Sequence, residues 1–218
     1  MCGLWRAFLR LFFRLLYNQL AWSYDVVAWL VSLGDWKAWG RTTLAHLCGE
    51  RVLDLGHGPG HLLVAMAERG LAPVGLDLSP HMGRQAQRRM RRAELTVPLL
   101  RARAQALPFP TASLDSVVAT FPTEFIVDPR TLREVTRALR PGGRLIVAVW
   151  VRFEGTGLMA RFLRGLYRAT GQNEPAPDAF KPWLKEMGLS PRVVWERVGR
   201  TAVMLVVAER GKCQSSGT

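Results

Sequence analysis

The nine residues Val52 to Gly60, VLDLGHGPG, constrain the fold more than any other stretch of the chain. An apolar run carrying one acid, Val52-Leu53-Asp54-Leu55, ends in glycines at alternate positions, Gly56, Gly58 and Gly60. A helix-compatible stretch, His61 to Arg69, follows. The pattern reads as strand, glycine turn, helix. Glycine lacks a Cβ and reaches positive φ, so the turn can be tight and a ligand can touch its backbone. A second apolar run, Pro73-Val74-Gly75-Leu76, ends at Asp77, 17 residues beyond Gly60. A carboxylate there can accept hydrogen bonds from both hydroxyls of a ribose. Turn and acid together predict a nucleoside-containing ligand.

The same alternation continues along the chain. Strand 51–55 leads to helix 61–69, and strand 73–77 to helix 80–93. Strand 98–102 passes through LPFPTASLD into strand 115–120, and helix 129–139 stops at Arg140-Pro141-Gly142-Gly143. Strand 144–150, RLIVAVW, is a continuous apolar run of the kind buried on both faces of a parallel sheet. Helices 156–169 and 178–187 follow, then strands 192–198 and 201–209 joined at Gly199-Arg200 as a hairpin. The expected fold is α/β: a mostly parallel sheet with helices on both faces and one antiparallel edge. Residues 46–210 would form the domain, 1–45 a helical lid and 211–218 a disordered polar tail.

The lid segment, LWRAFLRLFFRLLYNQLAW from Leu4 to Trp22, repeats Arg6, Arg10 and Arg14 on one narrow helical face. Three arginines disfavour a spanning helix, and the pattern lacks a signal-peptide cleavage site. A basic helix with a wide aromatic face suits a bilayer interface; a lid with its arginines in water, or a partner-binding helix, fits the same pattern. The chain carries a net charge of +13, with arginines crowded between Arg84 and Arg92. Such a surface attracts RNA, DNA or anionic membrane, or is simply a solvated helix face. The run lacks the interleaved aromatics of a nucleic-acid stacking platform. Cys2, Cys48 and Cys213 are odd in number and scattered, which points to a reducing, cytoplasmic setting. His57 and His61 flank Pro59 and Gly60 and share no helix face, so no metal site is expected.

The glycine spacing differs from the G-x-G-x-x-G dinucleotide fingerprint. It resembles motif I of the class I S-adenosylmethionine (SAM) methyltransferases. Leu76-Asp77-Leu78-Ser79-Pro80-His81-Met82 matches that family's D-x-S-x-x-M stretch, Ala106-Leu107-Pro108-Phe109-Pro110 with Leu114-Asp115 its A-L-P-F element, and Leu139-Arg140-Pro141-Gly142-Gly143 its L-K-P-G-G turn. The resemblance implies a Rossmann-like seven-stranded sheet and S-adenosyl-L-methionine as cofactor. By position it implies that Asp54 orders the loop, that Gly56, Gly58 and Gly60 admit the ligand, and that Asp77 holds the ribose. Leu78 would cover one adenine face, a backbone N–H of Ala104 or Gln105 would meet the adenine edge, and Phe121 would face the sulfonium. Each has a structural alternative: Asp54 a turn acid, Asp77 a helix cap, Phe121 core. Tyr24, in a Tyr24-Asp25 pair the family also carries, and Glu124, past the fourth strand, are the acceptor-side candidates.

One residue departs from the pattern. Arg103 stands where the family commonly has an acid that accepts from the adenine amino group. An arginine only donates, so Gln105, whose carbonyl accepts, would have to substitute. The expected activity is methyl transfer from SAM to a small or lipid-like acceptor at a membrane surface, the protein being cytoplasmic and peripheral to the inner face. An RNA methyltransferase and a methyltransferase-fold binding module with an altered site are the competing readings. No catalytic residue is assigned: transfer from a sulfonium needs no covalent residue, and an oxygen or carbon acceptor would need a base, for which Glu124 is the first candidate and Tyr24 and His57 are weaker ones. The sequence assigns no oligomeric state.

Overall fold

In the computed structural model, which describes residues 35–154, 175–176 and 181–211, a single sheet organises the chain. Its strands are β1 (Arg51–Leu55), β2 (Ala72–Leu76), β3 (Leu99–Leu100), β4 (Leu114–Thr120), β5 (Leu139–Phe153), β6 (Leu189–Val198) and β7 (Thr201–Arg210). They lie in the order β3-β2-β1-β4-β5-β7-β6. β1 to β5 pair in parallel, and β7 inserts antiparallel between β5 and β6. The expected seven-stranded, mostly parallel sheet with an antiparallel hairpin is what forms.

Five α-helices accompany the strands among the described residues: α1 (Trp36–Arg41), α2 (His61–Ala67), α3 (Pro80–Arg92), α4 (Pro129–Ala138) and α5 (Lys181–Glu186). Side chains alternate across β1, so Val52 packs with α1, α2 and α3 on one face while Leu53 and Leu55 pack with α4 and α5 on the other. Helices therefore cover both faces of the sheet. Ser79 caps α3 by accepting the Met82 N–H, with Pro80 at the first helical position. Met82, Ala86 and Met90 recur at four-residue spacing and are buried. Arg84, Arg88, Arg91 and Arg92 are exposed, so most of the arginine cluster is the solvated side of one amphipathic helix.

Three expectations change. First, residues 36–46 belong to the domain core and not to a separate lid. Trp39 is 1% exposed, and its Nε1–H donates to Thr201 Oγ1 at 2.8 Å. Second, β3 is two residues long, because the chain leaves the sheet at Arg101 once Asp77 N–H has reached the Leu100 carbonyl at 3.1 Å. Third, β5 begins at Leu139 instead of after the proline-glycine turn. Leu139 pairs with Leu114, pairing resumes at Arg144 with Ser116, and the residues between bulge out with Gly142 at φ +77°. The anticipated helix 156–169, most of the polar tail, residues 1–34 and with them Tyr24 lie outside the described residues. No helix among the described residues is long and apolar enough to cross a membrane.

Candidate active site

β1 is central, with β2 and β3 added on one side and β4 and β5 on the other. The chain thus reverses direction of winding at β1, and the crevice outside the carboxyl ends of β1 and β4 is where open α/β sheets bind ligands. The glycine turn leaves β1 at this point. Gly56 N–H donates to the Leu76 carbonyl at 2.7 Å, tying the start of the turn to the end of β2. Gly56, Gly58 and Gly60 all have positive φ, at +78°, +51° and +82°. At Gly60 a Cβ would stand 2.9 Å from the Ala86 Cβ, so this glycine lets α3 close on the turn. At Gly58 a Cβ would meet nothing within 4 Å, so this glycine presents open backbone.

Asp77, one residue past β2, fastens the turn. Its Oδ2 accepts the Gly58 N–H at 3.0 Å and its Oδ1 accepts the Ser79 N–H at 2.8 Å. A carboxylate has about four acceptor positions, so two such bonds leave capacity for hydroxyl donors. The loop-ordering role that resemblance suggested for Asp54 is carried by Asp77. Asp54 is 1% exposed, and neither of its oxygens has a hydrogen-bond partner among the described residues. Burial, with a smaller contribution from the neighbouring Asp77 charge, pushes its pKa up to about 8. A buried carboxyl without a donor is costly, and such groups concentrate where a ligand completes the site.

His57 is buried, and its Nδ1 lies 2.6 Å from the Gly58 carbonyl. A carbonyl only accepts, so Nδ1 carries the proton. Burial lowers the pKa of this ring, against an opposing pull from Asp77. It is a brace within the turn. His61 starts α2, and no metal-binding group of three ligands occurs among the described residues.

The remaining predicted residues surround this turn unequally. Leu78 is 54% exposed, and its carbonyl receives the Arg101 Nε–H at 3.2 Å. Ala104 is buried. Gln105 Nε2 donates to Asp128 Oδ2 at 3.0 Å, which ties this loop to the α4 cap. That fixes which end of the carboxamide is committed and leaves the carbonyl end to accept. Arg103 is exposed, and its carbonyl takes the Ala106 N–H at 3.1 Å. Phe121, at the carboxyl end of β4, has φ +47° and stacks against Trp36 with ring centroids 4.7 Å apart. Glu124 is exposed at the start of the 3-10 turn Glu124–Val127. Its neighbour Phe125 is the residue that reaches the glycine turn: a Cβ on Gly56 would stand 3.1 Å from the Phe125 ring. Trp36 and Phe125 were not among the residues singled out by sequence. Phe125 closes the stretch FPTEF, in which the sequence drew attention to Phe121 and Glu124.

Comparison with known proteins bears on what this crevice serves. The sequence profile of a methyltransferase domain matches residues 52–143. A demethylmenaquinone methyltransferase of Thermus thermophilus is 32% identical over 203 residues, covering 81% of this chain and 92% of that protein. Another, of Beutenbergia cavernae, is also 32% identical, covering 84% of this chain and 82% of the relative. The chain belongs to the class I SAM-dependent methyltransferases. Among solved structures, geranyl diphosphate C-methyltransferase from Streptomyces coelicolor superposes with a TM-score of 0.60 over 79% of this chain and 78% of that one. At 18% identity that likeness concerns the fold.

The methyltransferase site fits S-adenosyl-L-methionine, its cofactor, on three observations. Asp77 stands at the end of β2 with acceptor capacity, the Gly58 backbone is open, and the Asp54 carboxyl is buried without a donor. Bound SAM supplies a methyl group made electrophilic by its sulfonium. The chain's own part would be to hold and to dry the reacting centre: Asp77 would accept from the ribose, Leu78 would lie on the adenine, and Trp36, Phe121 and Phe125 would wall the turn with apolar surface that excludes water.

Proposed function

We infer that this methyltransferase acts on a small, lipid-like acceptor that reaches the reacting centre past the Trp36–Phe121 pair. The observation that carries this reading is the aromatic wall itself. Trp36 and Phe121 stack beside the Gly56–Gly58 backbone and line, with Thr120, a cavity of about 320 Å³. Such a wall accepts apolar surface and offers no hydrogen-bond code for a nucleobase edge. The demethylmenaquinone methyltransferases that cover most of the chain support the same class of acceptor. We further place the enzyme at an anionic membrane surface on the cytoplasmic side, on the sequence of residues 4–22, where Arg6, Arg10 and Arg14 recur at four-residue spacing in a segment rich in aromatic and aliphatic residues.

The deciding experiment incubates the full chain with methyl-labelled SAM and either total lipid extract or total RNA. Label in the organic phase, dependent on Phe121, is expected. Label confined to RNA would overturn the reading and make the exposed α3 arginines the leading contact surface.

A further inference from the structure

The cavity beside the glycine turn has a second property. Away from Trp36 and Phe121 it is lined by Lys37 and Arg41 of α1 and by Arg89 and Arg92 of α3, and by no aspartate or glutamate among the described residues. Four cations therefore face one groove, with no acid among the described lining to neutralise them. Lys37, Arg41 and Arg92 are exposed on the groove. Arg89 donates to the Pro59 carbonyl, which fixes its guanidinium at the lip of the cofactor turn. Two elements far apart in sequence thus aim like charges at one concavity, an arrangement that costs repulsion and focuses a positive field. Guanidinium groups match phosphate and carboxylate oxygens in geometry as well as charge.

We propose that this groove binds an anionic group, of the phosphate or carboxylate class, carried by the methyl acceptor itself. The acceptor is then an anionic amphiphile, with its charged end between α1 and α3 and its apolar body against Trp36 and Phe121 near the glycine turn. This rests on the lipid-like acceptor inferred above and adds the charge.

The test is calorimetric titration of the full chain, with S-adenosylhomocysteine present, using octyl phosphate below its micelle concentration and 1-octanol as the neutral control. Octyl phosphate should bind at least tenfold more tightly, and its affinity should fall as salt rises. Arg41→Glu with Arg92→Glu should lose at least tenfold in octyl phosphate affinity while keeping S-adenosylhomocysteine affinity within threefold. Should the double reversal fail to fold, Arg41→Gln with Arg92→Gln should give a smaller loss in the same direction. Equal binding of the two octyl compounds, or an affinity indifferent to either variant, overturns the proposal. Binding only to phosphatidylglycerol vesicles, lost in the variant and absent for octyl phosphate, overturns it too, by assigning the groove to a membrane headgroup. Label in the organic phase without any octyl phosphate preference defeats the groove and leaves the lipid-like acceptor standing. Octyl phosphate preference with label only in RNA overturns the lipid-like acceptor and the anionic amphiphile with it, leaving a groove for RNA phosphate.

Discussion

The Asp77 carboxylate accepts the Gly58 backbone N–H at 3.0 Å, so the acid that ends β2 holds the turn that leaves β1. One residue thereby shapes the cofactor loop and keeps acceptor capacity to spare at the carboxyl end of β2. Asp77→Ala removes a charge-assisted hydrogen bond to Gly58 and another to Ser79, each worth about 1.5–3 kcal/mol where buried and less here at the mouth of the site. The expected result is at least a tenfold loss of S-adenosylhomocysteine affinity by calorimetry. Asp77→Asn should recover part of it, since its one carbonyl can serve Gly58 but its amide cannot accept from Ser79. Unchanged affinity in Asp77→Ala would remove Asp77 from the cofactor site.

The glycines of the turn should separate stability from binding. Gly60→Ala places a Cβ 2.9 Å from Ala86 at φ +82° and should destabilise by ~2–3 kcal/mol, through strain and a clash with α3. Gly58→Ala meets no atom within 4 Å at φ +51° and should cost only ~1 kcal/mol. Its methyl would instead intrude on the ligand's side of the turn. Thermal melts of the two variants, set beside their S-adenosylhomocysteine affinities, should therefore rank in opposite orders.

Much of this arrangement was legible in the sequence, and the reason is periodicity. Short apolar runs broken by Gly56 and Asp77 mark strand ends whatever the tertiary context. What stayed hidden depends on contacts between distant residues. Trp39 reads as part of an aromatic N-terminal segment, and only its bond to Thr201, 162 positions away, makes it core. Leu139 reads as a helix end, yet its pairing with Leu114 starts β5 before the proline-glycine bulge. The exchange of loop-ordering from Asp54 to Asp77 is of the same kind: both acids are visible in sequence, and their hydrogen bonds are not. Asp115 was noted only as the last residue of a motif. It proves to clamp four groups, the Glu50 and Arg51 N–H at 3.0 and 2.9 Å and the Arg51 and Arg140 guanidinia at 2.8 and 2.9 Å.

Asp54 and Asp115 should give opposite pH signatures. Burial raises the Asp54 pKa to about 8, so the folded state holds a proton that the unfolded chain releases near pH 4. Its contribution is present at low pH and is lost as pH rises toward 8, with a limiting slope of ~1.4 kcal/mol per pH unit. Hydrogen bonding from Arg51 brings Asp115 down to about 2, so its contribution is present above pH 4 and is lost as pH falls toward 2. Chemical denaturation across pH 4 to 9 should show Asp54→Asn gaining on the parent chain as pH rises. Between pH 4 and 2, Asp115→Asn should lose less stability than the parent. A pH-independent difference in the Asp54 series would mean that the carboxylate is ionised throughout.

Phe121 offers the sharpest division between strain and function. A non-glycine residue at φ +47° is strained by about 1 kcal/mol, and strain of this sort collects at functional sites. The ring recovers some of that by stacking on Trp36 at 4.7 Å, and on Trp39 edge-on at 6.2 Å. Phe121→Asn should therefore be close to neutral for stability, because asparagine tolerates the left-handed region while the aromatic contacts, worth a similar ~1 kcal/mol, are lost. The same change strips the wall that dries the reacting centre, so transfer of labelled methyl to lipid should fall at least tenfold. A melt shifted by only a few degrees together with that loss would identify Phe121 as a residue held in strain for the reaction. Full activity in Phe121→Asn would return it to the core and leave Phe125 as the apolar cover of the turn.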